Sequence, residues 1–187
     1  MQFQNQKKTF LAKLDKSRKG KIDKPIKSLI NKINKSKNYY STSSCSGRIV
    51  LLAKNQGEKQ GAKWLFTSHK KTNLKQIKSA LKNLPKTNVY FRFEPLILHI
   101  ASDTIENAQK LVNKARSIGF KRTGIQSTKN KIITEIASTE ILNTIIAKNK
   151  KLLITNDYLK VLIQEANKKL EQNNKKIRKF LKSITSC

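Results

Sequence analysis

The chain has two histidines, and proton chemistry near neutral pH comes most easily from such a ring or from a carboxylate shifted by its surroundings. His69 precedes Lys70-Lys71, whereas His99 sits inside the apolar run Leu96 to Ile100. A single histidine in an apolar strand is by default a core residue, so His99 is the weaker candidate. Asp15-Lys16-Ser17-Arg18-Lys19-Gly20 is a second cluster, whose plain reading is a solvated helix end with lysines for phosphate. A third runs from Tyr40 through Ser41-Thr42-Ser43-Ser44-Cys45-Ser46-Gly47 to Arg48, and is expected as a turn between two strands. Small residues there let backbone N–H groups approach a ligand, and Arg48 adds a forked donor for carboxylate or phosphate. The bland alternative is an ordinary polar turn.

Other site patterns are missing from the sequence. It has no Walker loop, no zinc-protease helix and no G-x-G-x-x-G after a strand. The last absence excludes the usual nucleotide turn of Rossmann-type methyltransferases and dehydrogenases. Cys45 and Cys187 lie too far apart for a metal spacing or a disulfide framework and are expected as thiols, so no metal is expected.

Charge points to the partner. Lys and Arg number 41 against 11 Asp and Glu, a formal net charge of +30 spread along the whole chain. Such a field attracts polyanions, which makes a nucleic acid, RNA above all, the expected partner. The genomic alternative, AT-rich coding bias, would raise Lys without depleting Asp and Glu. No apolar run approaches the ~18 residues of a membrane span, and the N-terminus lacks the order of a secretory signal. The expectation is a cytoplasmic protein without membrane contact.

Elements that would position these residues follow from periodicity. A first helix carries Phe3, Phe10, Leu11 and Leu14, and a second carries Ile26, Leu29, Ile30 and Ile33 after Asp23 and Pro25. Strand-like segments cover 39–43, 48–53 and 63–69, with NQGEKQG suggesting a hairpin. A third helix ends at Pro85; strands at 87–93 and 96–102 are broken by Glu94-Pro95. Asp103 and Glu106 resemble a capping box before a helix that Gly119 ends. A second hairpin spans 120–126 and 131–137, the segment 138–155 is ambiguous, and a long amphipathic helix covers 157–184. This order predicts an α+β fold over 1–187 as a single compact domain: a mixed, partly antiparallel sheet, flanking helices and a long C-terminal helix, not a doubly wound parallel sheet.

Taken in order, D-x-S-R-K-G-x-x-D from Asp15 to Asp23, S-S-C-S-G-R-I from Ser43, S-H-K from Ser68 and F-E-P-L-I-L-H from Phe93 resemble the wybutosine-synthesising protein 3 family. Gly119-Phe120, Gly124-Ile125, Tyr158 and Ala166-Asn167-Lys168 are similar too, so the resemblance covers nearly the whole chain. It is closest in kind to the stand-alone, archaeal-type members. The resemblance implies an S-adenosylmethionine-dependent methyltransferase acting on a ring nitrogen (N-4) of the tricyclic wyosine-type base beside the anticodon of phenylalanine tRNA. Under it, His69 or Asp15 takes the proton. Ser41, Ser43, Ser44, Cys45, Ser46, Gly47, Arg48 and His99 hold the cofactor, and Ser17, Lys19, Asp23, Lys70 and Lys71 hold the RNA. The rivals are a non-catalytic basic RNA-binding module and a structural protein whose charge is only compositional.

Overall fold

The structure is a computed structural model that describes residues 2–12, 22–54 and 61–184. Asp15, Ser17 and Lys19 lie outside the described residues. The chain is α+β, as the sequence predicts, and ends in a long helix. Where one mixed sheet is expected there are two, and every strand pairing among the described residues is antiparallel. By its internal contacts the chain divides into two compact units, one of residues 1–46, 96–139 and 173–187, the other of 47–95 and 140–172.

The first unit holds helix α1 (Gln2–Leu11), a 3₁₀ turn (Lys24–Ile26) leading into α2 (Lys27–Lys35), and strand β1 (Tyr39–Cys45). The other unit contributes β2 (Arg48–Lys54), β3 (Lys63–Ser68), α3 (Leu74–Ala80) and β4 (Asn88–Glu94). The chain then returns to the first unit with β5 (Ile97–Ser102), α4 (Ile105–Ile118), β6 (Gly124–Ser127) and β7 (Ile132–Ala137). Strands β8 (Leu142–Lys148) and β9 (Lys151–Leu152) belong to the second unit, and α5 (Asn156–Ile184) runs through Gln172 there before its last turns join the first.

In the first unit the order β1-β5-β7-β6 gives a sheet with unlike faces. Side chains alternate along a strand, so Leu98 and Ile100 fall on one face and Ile97, His99 and Ala101 on the other. The first face is the core. Leu98, Ile100 and Ile136 pack with Leu29, Ile30 and Ile33 of α2, Leu111 and Ala115 of α4, and Ile177 and Phe180 of α5. The α2 stripe arises from i, i+3, i+4, i+7 spacing. Thr104, one residue after the expected Asp103, caps α4 by accepting from the Asn107 N–H at 3.2 Å. Gly119 ends that helix at φ +107°, a conformation L side chains avoid.

In the second unit the order is β3-β2-β4-β8-β9. Ile49, Leu51 and Ala53 of β2 and Val89, Phe91 and Phe93 of β4 face a core filled by Ile77 of α3 and Leu159, Leu162, Ile163, Ala166 and Leu170 of α5. Within the segment 138–155 that periodicity leaves ambiguous lie a strand, a two-residue turn and a short return strand. Its turn residues Asn149 and Lys150 have φ of +49° and +60°. Such hairpins usually advertise themselves with Asn-Gly or Asp-Gly, and a lysine in the second place hides this one.

Candidate functional site

The serine run is mostly strand rather than turn. Ser41, Ser43, Ser44 and Cys45 all lie in β1 and pair with β5, with a register shift between Ser41 and Ser43. Only Ser46 and Gly47 leave the strand. Ser41 falls on the core face, where its N–H and hydroxyl both donate to Asn34 Oδ1 of α2, at 2.8 and 3.1 Å. Ser44, opposite Leu98, shares that face. Ser43 stands opposite His99, and Cys45 opposite Ile97, on the outer face.

Backbone groups of Ser46 are fixed from both directions. Its N–H donates to Asp23 Oδ2 at 3.0 Å, and its carbonyl accepts from Asn173 Nδ2 at 2.8 Å. Asn173 Oδ1 in turn accepts from the Leu96 N–H at 2.8 Å. Asn173 is only 3% exposed, so both hydrogen bonds are made away from water. Asp23, expected at the RNA, therefore also shapes the end of the serine run.

His99 is not the core histidine that its apolar neighbours suggest. It lies on the outer face, where Nε2 donates to Glu135 Oε2 of β7 at 2.9 Å. Arg122 reaches the other oxygen of Glu135 at 3.8 Å. A polar row, Ser43–His99–Glu135, thus crosses three strands of the sheet. Glu135 was invisible in the sequence, because only the β5–β7 register brings it beside His99.

In the second unit, Gly47 has φ +92°, and its carbonyl lies 2.8 Å from Nδ1 of His69. A carbonyl can only accept, so Nδ1 carries a proton, and Nε2 is the ring nitrogen at which a neutral His69 would take up another. Ser68 tightens the turn around His69: its hydroxyl accepts from the Lys70 N–H at 3.0 Å and donates to the Lys70 carbonyl at 2.8 Å. Behind the turn, Asn167 of α5 grips Thr72 twice, accepting from its N–H and donating to its carbonyl, each at 2.9 Å. Lys71 is ion-paired with Glu171 of α5, whereas Lys70 is exposed and has no acidic partner among the described residues.

Arg48 is held on two sides. Its Nε donates to Glu94 Oε2 at 2.7 Å across the β2–β4 pair, and its guanidinium lies 4.1 Å over the Trp64 ring of β3. Those contacts leave the edge bearing the two terminal nitrogens, which make no hydrogen bond to the described residues. Planar, forked and half-buried, that edge suits a carboxylate. Trp64 was not singled out in the sequence and Glu94 only as a strand break and part of the F-E-P-L-I-L-H motif; their contact with Arg48 is found only once the strands are paired.

The described residues hold no group of three or more His, Cys, Asp or Glu able to bind a metal ion, and no helix among them is long and apolar enough to cross a membrane.

Residues 5–186 match the family described as Methyltransferase TYW3. The tRNA(Phe) 7-((3-amino-3-carboxypropyl)-4-demethylwyosine(37)-N(4))-methyltransferase 1 of Pyrococcus furiosus is 37% identical over 185 residues, which span 97% of this chain and 94% of that one. The tRNA wybutosine-synthesizing protein 3 homolog of Xenopus laevis is 35% identical over 183 residues, 95% of this chain and 72% of the relative. Among solved structures, the PH1069 protein of Pyrococcus horikoshii superposes with a TM-score of 0.92 at 35% identity, covering 98% of this chain and 94% of its own. Fold and relatives together define a methyltransferase built on antiparallel sheets, without the glycine-rich turn of the Rossmann class. The chain belongs to the methyltransferase TYW3 family.

Proposed function

We propose that this chain transfers a methyl group from S-adenosylmethionine to ring nitrogen N-4 of the tricyclic wyosine-type base beside the anticodon of phenylalanine tRNA. The observation that carries the reading is the stretch Gly47-Arg48, which orients the His69 ring through a carbonyl and supplies a posed guanidinium in consecutive residues. The names of the relatives support the substrate, and the charge of +30 supports an RNA.

S-adenosylmethionine supplies an electrophilic methyl group on a sulfonium. The residues present fit it: the open edge of Arg48 matches its carboxylate, and equally the carboxylate of an aminocarboxypropyl side chain on the base. Within the first unit, Ser43 and Cys45 on the outer face of β1 and His99 in the row with Ser43 offer small polar groups on that face. The hydroxyl of Ser41 is already given to Asn34, so its share is to hold β1 against α2. His69 accepts at Nε2 the proton that N-4 loses as its bond to carbon forms, so the ring becomes cationic and charge balances. Lys70 lies beside it for a phosphate. Asp15, Ser17 and Lys19 belong to the same reading as the second candidate base and as RNA contacts.

The test is a single-turnover assay with methyl-labelled S-adenosylmethionine and phenylalanine tRNA from a strain lacking this gene. One methyl group per tRNA is expected, retained on the tricyclic base after digestion. Salt-sensitive binding of tRNA with no transfer and no affinity for S-adenosylmethionine would instead establish the non-catalytic RNA-binding module.

A further inference from the structure

Helix α1 takes no part in the reaction above, and its outer face is unlike the rest of the chain. Gln2, Asn5, Gln6 and Thr9 recur at i, i+3, i+4 and i+7, which puts them on one side of the helix. In a chain with 41 Lys and Arg, this stripe carries amides and a hydroxyl and no charge. Together with Phe10 and Lys131 it lines a groove of about 410 Å³ in the first unit.

The helix is firmly seated. Its Phe3 and Phe10 rings lie 5.4 and 5.5 Å from the ring of Tyr40 on β1. Lys7 is buried, donates to the carbonyl of Ser36, and is held by that burial below the usual lysine range. Beneath the rings the Tyr40 hydroxyl is buried and makes no hydrogen bond to the described residues, so the tyrosine meets the helix through its ring. Lys131, which immediately precedes β7, stands with Nζ 5.3 Å over Phe10 and 6.0 Å over Tyr40. No carboxylate pairs with it among the described residues, so its cation rests on aromatic faces at the mouth of the groove. Tyr40 pairs with Ala101, two residues from His99 on the same face of the sheet, so this groove continues the face that carries the Ser43–His99–Glu135 row.

A wall of amides with one cation at its rim is the wrong chemistry for a bare polyanion, which asks for several cations. It is the right chemistry for a nucleotide, because each amide offers a donor and an acceptor side by side to a base edge, while a lysine meets the phosphate. We propose that the α1 groove holds an unpaired nucleotide of the RNA substrate, its base against Gln2, Asn5, Gln6 and Thr9 and its phosphate at Lys131. This rests on the reading that RNA is the substrate, and it adds a base-reading subsite to phosphate contacts that are indifferent to sequence.

The experiment follows side-chain amide resonances of the full chain during titration with single-stranded hexaribonucleotides and, separately, with inorganic polyphosphate of matched charge. The Gln2, Asn5 and Gln6 amides are expected to shift with the oligonucleotide and not with polyphosphate. The doubly substituted Asn5→Ala/Gln6→Ala protein, altered on a solvent-facing stripe where alanine favours helix, should bind a preferred hexamer about tenfold more weakly at fixed salt. Lys131→Ala should lower the salt slope by about one, the mark of a lost phosphate contact. Equal amide shifts with polyphosphate, or unchanged hexamer affinity in the double variant, would overturn the groove while leaving RNA binding elsewhere intact. Failure of wild-type protein to bind either hexamer or tRNA would overturn the RNA reading itself, and the groove with it.

Discussion

The two histidines stand in regions that treat them differently. His69, in the second unit, gives its Nδ1 proton to the carbonyl of Gly47, a neutral group in the backbone. His99, in the first, gives its Nε2 proton to the carboxylate of Glu135, which Arg122 also approaches. The contact with Gly47 fixes a proton on Nδ1 of His69, whereas His99 directs its Nε2 proton to a side chain on the next strand. One arrangement fixes a ring through the backbone; the other builds a polar row on a sheet. Both rings would score alike by burial or by residue type, so the tautomer imposed by the partner is what separates them.

The largest effect should come from breaking this contrast directly. His69→Ala is expected to keep S-adenosylmethionine and tRNA binding and to lose roughly 10²–10⁴-fold in single-turnover methyl transfer, the usual contribution of general acid–base help. His99→Ala should change the chemical step only a few-fold and act mainly on binding. Near wild-type turnover in His69→Ala with a dead Asp15→Asn would move the base to Asp15. Full activity in both would leave positioning and desolvation to carry the reaction.

Two asparagines of α5 extend the comparison to stability. Asn167 holds Thr72 behind the His69 turn, and Asn173 holds Ser46 and Leu96 at the end of the serine run. Asn173 is buried and its two partners are almost wholly so, whereas Asn167 is only half-buried. Truncating Asn173 to alanine orphans two buried backbone groups, each costing about 1–3 kcal/mol, so a loss of roughly 2–5 kcal/mol is expected in urea unfolding. Asn167→Ala should cost about 1–2 kcal/mol, because water can replace part of what is removed. Equal losses would show that water does not reach Thr72 either.

How much of this was legible in the sequence depended on the distance between partners. Helix stripes, the Gly119 stop and the hairpins over 48–69 and 120–137 rest on neighbours in sequence, and they stand close to where periodicity puts them. The serine run beyond Ser43 was expected as a turn because small hydroxyl residues favour turns, yet pairing with β5 carries the strand begun at Tyr39 on through Ser44 and Cys45. The split into two sheets was hidden at two short junctions. Ser46-Gly47 and Pro95-Leu96 look like ordinary breaks between neighbouring strands, but at each the chain passes from one unit to the other. Glu135, Trp64, Glu94 and Asn173 were missed as partners for a common reason: each becomes one only through register or through contacts across long stretches of chain, such as Ser46 with Asn173 at a separation of 127 residues.

The smallest effect expected is also the one that asks most of the geometry. Arg48→Lys keeps the positive charge in the second unit but loses the planar fork, the Nε–H that Glu94 accepts and the flat face on Trp64. If the open edge of Arg48 takes a carboxylate through two parallel hydrogen bonds, the lysine can supply one in a looser position. A loss of about 1–2 kcal/mol follows, read as roughly a tenfold rise in KM or Kd. The chemical step should hardly change, because His69 and its contact with Gly47 are untouched. Which ligand suffers identifies the carboxylate: weaker S-adenosylmethionine binding assigns it to the cofactor, whereas a defect confined to tRNA bearing the aminocarboxypropyl chain assigns it to the base. Trp64→Leu should show the same defect in milder form, since it frees a guanidinium that stays charged. An Arg48→Lys enzyme with wild-type KM for both ligands would mean that the residue supplies only general positive charge, and that Glu94 and Trp64 hold it for the sake of the sheet alone.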